Sequence, residues 1–218
     1  LVESTNDVGM YASLAVDANN NPHIAYRDNT NNTFKYAYRY QTWLTTGVVV
    51  GSYTPGYYPS LAIDGSGGVQ MAHYSANYGL TFARLPNWVN EYLDGQYFYS
   101  SLALASNGLP HIAYFGSSGY NLNYIKGKNI PGLWEAKVSI HTGASIGYFP
   151  SIALDSNEAP HIAYVAANKL YYAYWDINTN NWKTESQTSS PIDNAVNCGW
   201  TSITLDGKGY PHIAYYDN

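Results

Sequence analysis

Apolar and polar residues alternate along this chain in short runs, and the runs recur. Ser13-Leu14-Ala15-Val16-Asp17 returns as Ser60 to Asp64, Ser101 to Ala105, Ser151 to Asp155 and Ser202 to Asp206. A period of two over five residues predicts a half-buried strand. A turn of Gly, Asn and Ser follows each run, and then comes Pro-His-Ile-Ala-Tyr, at Pro22 to Tyr26, Pro110 to Tyr114, Pro160 to Tyr164 and Pro211 to Tyr215. Val69-Gln70-Met71-Ala72-His73 is a degraded copy. Proline is tolerated at the first residue of a strand, so this phrase predicts the second one. Phe34 to Ala37, Leu80 to Ala83, Leu122 to Ile125 and Leu170 to Ala173 predict the third. Trp43, Trp88, Trp134 and Trp182, at intervals of 45, 46 and 48 residues, mark the start of the fourth. No helical period occurs anywhere.

Short antiparallel strands repeating about every 46 residues predict an all-β chain and, within that class, a β-propeller. The expected architecture is five blades of four-stranded antiparallel sheets in a single domain, 1–218. The repeats run over approximately 11–50, 58–94, 99–140, 149–188 and 200–218 plus 1–5. The last blade lacks residues for all its strands. Leu1-Val2-Glu3 aligns with Val89-Asn90-Glu91, so the N-terminal strand is expected to join the last blade and close the ring, which would remove exposed sheet edges.

Composition narrows the setting. Of 218 residues 45% are hydrophobic, enough for a real core, and only 11% are charged, well under the roughly 25% usual for soluble domains. Solubility then rests on Asn, Ser, Thr and 24 Tyr, a surface suited to an extracellular or cell-surface location. The net charge of −5 and the lack of any basic run exclude nucleic acid as a partner. No apolar segment has transmembrane length, so no membrane insertion is expected. Cys198 is the lone cysteine, which leaves a buried thiol or an intermolecular link.

Candidate chemistry must be separated from repetition. His23, His111, His161 and His212 share one strand position, where the second repeat has Gln70. Different blades carry them, without the short ligand spacing of a metal site, so they read as structural groups facing the strand-one acids Asp17, Asp64, Asp155 and Asp206. The turns after those acids supply too few carboxylates for calcium. No metal and no cofactor is expected. Two residues before each strand-one Ser stands an aromatic: Tyr11, Tyr58, Tyr99, Phe149 and Trp200. Tyr57 and Tyr148 precede two of them. Rings of this kind wedge between blades or stack against a sugar. Loops that break the repeat lie on the same expected face: 51–58 with Tyr53, 141–149, and 187–200 with Asn194. Asp7, Asp94 and Asp193, with His141, are the best catalytic set available, but loop acids in solvent explain them better, and the chain reads as a binder rather than an enzyme.

The phrase Ser-Leu-Ala-Leu-Asp-x-Asn-Gly-x-Pro-His-Ile-Ala-Tyr-Tyr-Asp, followed by Leu-x-Tyr-Ala and a Trp, resembles the repeats of secreted bacterial and archaeal β-propeller proteins, loosely grouped with sialidase-like propellers. The resemblance spans essentially the whole chain. It implies the fold and no particular activity. The arginine cluster that sialidases use is missing, since Arg27, Arg39 and Arg84 are scattered. The expected function is therefore an extracellular lectin-like propeller that binds carbohydrate, or a cell-surface protein, through an aromatic-rich loop face. The alternatives are a structural or adhesion module self-assembling through the incomplete blade, and a glycoside hydrolase or lyase.

Overall fold

The computed structural model describes residues 1–48, 57–86, 88–95, 97–116, 119–143, 145–184, 192–193 and 197–217. Tyr53 and Asn194 lie outside them. The described residues are all-β and contain no helix. Four sheets have four strands each, in simple meander order. The first is β1 (Val8–Val16), β2 (Pro22–Asp28), β3 (Thr33–Arg39) and β4 (Trp43–Val48). The second is β5 (Ser60–Ile63), β6 (Val69–Ser75), β7 (Gly79–Arg84) and β8 (Val89–Asp94). The third is β9 (Tyr97–Leu104), β10 (Pro110–Gly116), β11 (Asn121–Lys126) and β12 (Val138–His141). The fourth is β13 (Ile146–Leu154), β14 (Pro160–Ala166), β15 (Lys169–Asp176) and β16 (Asn181–Thr184), and a two-stranded sheet of β17 (Gly199–Leu205) and β18 (Pro211–Tyr216) follows.

The chain divides into two compact units, one of Leu1–Phe98 with Ser106–Gly108, the other of Tyr99–Ala105 with Leu109–Asn218. In the first unit, Phe34 and Tyr36 of the first sheet pack with Leu61, Met71 and Trp88 of the second. In the second unit, Leu122 and Tyr124 of the third sheet pack with Ile152, Ile162 and Trp182 of the fourth. Each such aliphatic or Phe side chain contributes about 1.5–3 kcal/mol on leaving water, and the repeated phrases deliver one set per sheet. The small Ala25, Ala113 and Ala163, all 0% exposed, let neighbouring sheets approach.

A polar link accompanies this packing. The Ser13 hydroxyl accepts a hydrogen bond from the Leu61 amide at 2.9 Å, Ser101 from Ile152 at 3.1 Å and Ser151 from Ile203 at 3.1 Å. The serine that opens the strand-one phrase thus ties the inner strand of one sheet to that of the next. It satisfies an amide that no strand partner reaches.

Two expectations are corrected. Residues 1–4 form no strand where one was expected, and the β17–β18 sheet has two strands among the described residues. Glu3 is held in the first unit instead: its carboxylate accepts from Lys35 Nζ at 2.5 Å and from the Tyr26 hydroxyl at 2.8 Å. Nor does Trp134 open a strand. It makes an isolated bridge to Gly127, and β12 begins only at Val138. Three residues separate Trp134 from Val138, the partner of Tyr124, against two between Trp43 and Thr46, the partner of Tyr36. That extra residue displaces the connection.

Candidate functional site

The repeated aromatics sit where the inner strands begin, and the backbone there is bent. Strand pairing shifts register between Met10 and Ser13, between Tyr148 and Ser151, and between Gly199 and Ser202. At these bulges Tyr11, Phe149 and Trp200 take positive φ of 54°, 48° and 47°, and Tyr58 takes 58°. A bulky residue in this region is strained, at a cost of about 1–3 kcal/mol. The bulge re-aims the ring toward the equivalent ring of the next sheet. In the first unit Tyr11 and Tyr58 lie 4.5 Å apart between centroids; in the second, Tyr99 and Phe149 are at 4.5 Å and Phe149 and Trp200 at 4.6 Å. Such contacts return about 0.5–1.5 kcal/mol each beyond area burial.

The row is not sealed. Trp200 is 58% exposed, Phe98 45% and Tyr57 36%. Tyr57 lies under the Arg27 guanidinium at 4.6 Å, and Tyr148 stacks on Phe115 at 4.3 Å. Of the expected ligand-binding residues, Tyr11, Tyr57 and Tyr58 form one cluster and Tyr99, Tyr148, Phe149 and Trp200 another, one in each unit.

At the opposite end of the strands lies the histidine position. His23 Nδ1 is 2.5 Å from the Tyr36 hydroxyl, His111 Nδ1 2.8 Å from Tyr124 and His161 Nδ1 2.5 Å from Tyr172. The second sheet has Gln70 with Phe82 at these places, and the Gln70 side-chain amide donates to the Gly108 carbonyl instead. Histidine and tyrosine are thus replaced together. On the other ring nitrogen, Nε2 faces a carboxylate at 3.5 Å for His23–Asp17, 3.9 Å for His161–Asp155 and 3.7 Å for His212–Asp206. A carboxylate on that side favours the proton on Nε2, and in that tautomer Nδ1 accepts from the tyrosine O–H. The acids have a further task. Oδ1 of Asp17, Asp64, Asp155 and Asp206 each accepts backbone amides two and four residues on, which shapes the turn. The Asn21 amides, with help from Asn19 and His23, hold the Asp17 carboxyl down at about 2.

His111 breaks the pattern. Ala105 replaces its acid; among the described residues its Nε2 is buried without a hydrogen-bond partner, as is His23 Nε2, but no carboxylate faces it. Burial, assisted by the Lys126 charge and opposed by Glu158, pulls the imidazole down to about 4, so it is neutral at pH 7.

His111 lines a cleft of about 340 Å³ between the third and fourth sheets. Tyr124 and Trp182 form its floor, with ring centroids 5.1 Å apart, and Trp175 meets Trp182 edge-on at 5.8 Å. Lys126, Glu135 and Glu158 supply charge. The equivalent cleft between the first and second sheets, about 430 Å³, is lined by His23, Tyr36, Tyr38, Gly67, Leu85 and Trp88 among others, and carries no carboxylate or ammonium.

The expected catalytic residues have local partners. Asp7 accepts from the Asn29 side chain at 2.8 Å and Asp94 from the Gly95 amide at 2.9 Å. Asp193 accepts from the Tyr215 hydroxyl, which is thereby pushed up to about 12. His141 Nδ1 lies 2.8 Å from the Tyr164 hydroxyl and its ring meets Tyr171 at 5.6 Å, a tyrosine setting with no paired acid among the described residues. Among the described residues no group of three His, Cys, Asp or Glu could hold a metal ion, and no helix is long and apolar enough to cross a membrane. Cys198 forms no disulfide and packs, buried, beside Val165 and Leu170.

No protein-family model and no curated protein matches the chain. Solved structures do. A protein of unknown function from Dyadobacter fermentans is similar with a TM-score of 0.66 at 8% identity, over 94% of this chain and 74% of that one. The Aleuria aurantia lectin N224Q mutant, solved in complex with Fucα1-6GlcNAc, gives 0.61 at 13% identity over 95% and 71%. An α-L-arabinofuranosidase of Clostridium thermocellum gives 0.56 at 15% identity over 94% and 81%. The Aleuria lectin is described as a six-bladed β-propeller. At such low identity the similarity is one of fold: this chain is built from sheets of the β-propeller kind.

Proposed function

We propose that this is an extracellular or cell-surface carbohydrate-binding protein, lectin-like in action, whose five sheets are blades of one propeller domain spanning 1–218. The observation that carries this reading is the aromatic row. A ring recurs at the head of every inner strand, held at several of them in a strained conformation, and part of the row stays open to solvent. Open rings with polar neighbours suit the apolar face of a sugar with its hydroxyls at the edge. Two fold neighbours with sugar-related names, the Aleuria lectin and the arabinofuranosidase, support the same class of ligand.

A glycan array probed with the intact protein tests this. Selective binding, weakened at least tenfold by Trp200→Ala or Tyr57→Ala, is the expected result. A blank array at millimolar sugar would sink it.

A further inference from the structure

The cleft between the third and fourth sheets differs from its counterpart in the first unit where side chains line the cavity. Strand register makes the comparison: Lys126 stands opposite His111 as Tyr38 stands opposite His23. Trp175 occupies the place of Leu85, and Glu158 that of Gly67. Glu135 enters through the displaced connection after Trp134, its amide bonded to the Lys126 carbonyl at 2.8 Å. One cleft therefore holds two carboxylates and an ammonium above a tryptophan wall, whereas the other holds none of these charges.

Glu158 is informative by itself. It has φ 63°, whereas Gly67, Gly108 and Gly209 take 85°, 81° and 83° at the same turn position and Asn20 takes 61°. Glycine and asparagine enter this region readily; a glutamate does so under backbone strain. A costly residue facing a cavity is a mark of function rather than of folding. His111 also lines the cleft, with Nδ1 taken by Tyr124; among the described residues its buried Nε2 has no hydrogen-bond partner, as is also the case for His23 Nε2 in the sister cleft.

We propose that this cleft binds one neutral sugar ring, with Glu135 and Glu158 accepting from its hydroxyls, Lys126 donating to its oxygens, and Trp175 and Trp182 forming the apolar wall. A sugar hydroxyl both donates and accepts, which matches a mixed lining of this kind, and aromatic walls suit its C–H face. Two carboxylates against one ammonium leave the site negative and disfavour uronic or sialic acids. The volume, about 340 Å³, sits at the small end of ligand sites, which run from about 300 to 1,000 Å³, and fits a single ring. The proposal rests on the carbohydrate reading above and adds a site remote from the aromatic row along the strands.

Fluorotryptophan-labelled intact protein is titrated with methyl glycosides of neutral hexoses and pentoses, and separately with glucuronic acid, while ¹⁹F resonances are followed. The Trp175 and Trp182 signals are assigned by Trp→Phe substitution. Saturable shifts of these two signals by a neutral glycoside and not by the uronic acid are expected. Glu158→Gly restores the residue of the sister turns, so it should fold with unchanged or higher melting temperature; it and Glu135→Gln should each weaken the shifts at least tenfold. Sugar-induced shifts confined to Trp200, or Trp175 and Trp182 shifts indifferent to both substitutions, overturn the cleft site and leave the carbohydrate reading standing. No response to any sugar at any tryptophan overturns both.

Discussion

The two inter-sheet clefts share a frame and differ in content. Each has a histidine bonded to a tyrosine, and each is backed by a tryptophan that is 6% exposed for Trp88 and 7% for Trp182. In the cleft of the first unit the remaining lining is tyrosine, threonine, glycine, valine, leucine and proline, and an acid faces the histidine. In the cleft of the second unit charge has entered and the acid has gone. Shared residues are those that hold a sheet against its neighbour. Differing residues contribute little to that task, and some act against it. Comparing copies inside one chain therefore separates scaffold from site without any relative to align.

The comparison can be broken at its common part first. Trp88→Ala and Trp182→Ala should each cost about 3–5 kcal/mol, as large aromatic truncations in a core do, and by similar amounts. Urea denaturation of the two variants checks this; a loss confined to one cleft would show that the frames are not equivalent. Next comes the differing part. Lys126→Tyr, Trp175→Leu and Glu158→Gly together copy three of the differing positions of the first cleft into the second, leaving Glu135. Two contacts to charged groups worth about 1.5 kcal/mol or more each would be lost, so calorimetry should find sugar affinity in this cleft at least about a hundredfold weaker, with the fold intact by circular dichroism.

A third experiment uses pH. His111 titrates at about 4 in the folded chain, below the ordinary value of about 6.5. Between these limits the unfolded chain takes up the proton and the folded chain does not. Its contribution to stability is complete above about pH 6.5 and declines as pH falls toward 4, with a slope approaching 1.4 kcal/mol per pH unit. His111→Gln with Tyr124→Phe recreates the natural Gln70–Phe82 pair and should remove that slope, whereas His73, also pushed down to about 4 by burial, keeps its own. An unchanged pH profile would show that His111 titrates normally. The smallest effect belongs to the serine links. Ser13→Ala and Ser151→Ala each strand one buried amide and should cost about 1–3 kcal/mol, measured by thermal unfolding.

The strands were legible because their phrases alternate with period two and repeat, so each copy vouches for the others. The His–Tyr pair was equally present, in the joint change to Gln70 and Phe82, but a cross-strand pair becomes visible only once register is known. Three residues aligned at the N-terminus could not outweigh the pull of Lys35 on Glu3. The bulges were hidden because Tyr and Trp are poor markers of positive φ, unlike glycine. The second cleft was hidden for a different reason: Lys126, Glu135, Glu158 and Trp175 belong to no phrase, and only packing of one sheet on the next brings them together.

The serine links have a consequence for how such chains grow. At three junctions an inner strand lends a serine hydroxyl forward to an amide of the next, always in the same direction along the sequence, and the strand Ile146–Leu154 both lends one and receives one. A duplicated repeat would arrive with both halves of this coupling already in place. Insertion or deletion of a whole unit then leaves no polar group stranded, and the array can change length by recombination while each cleft diverges separately.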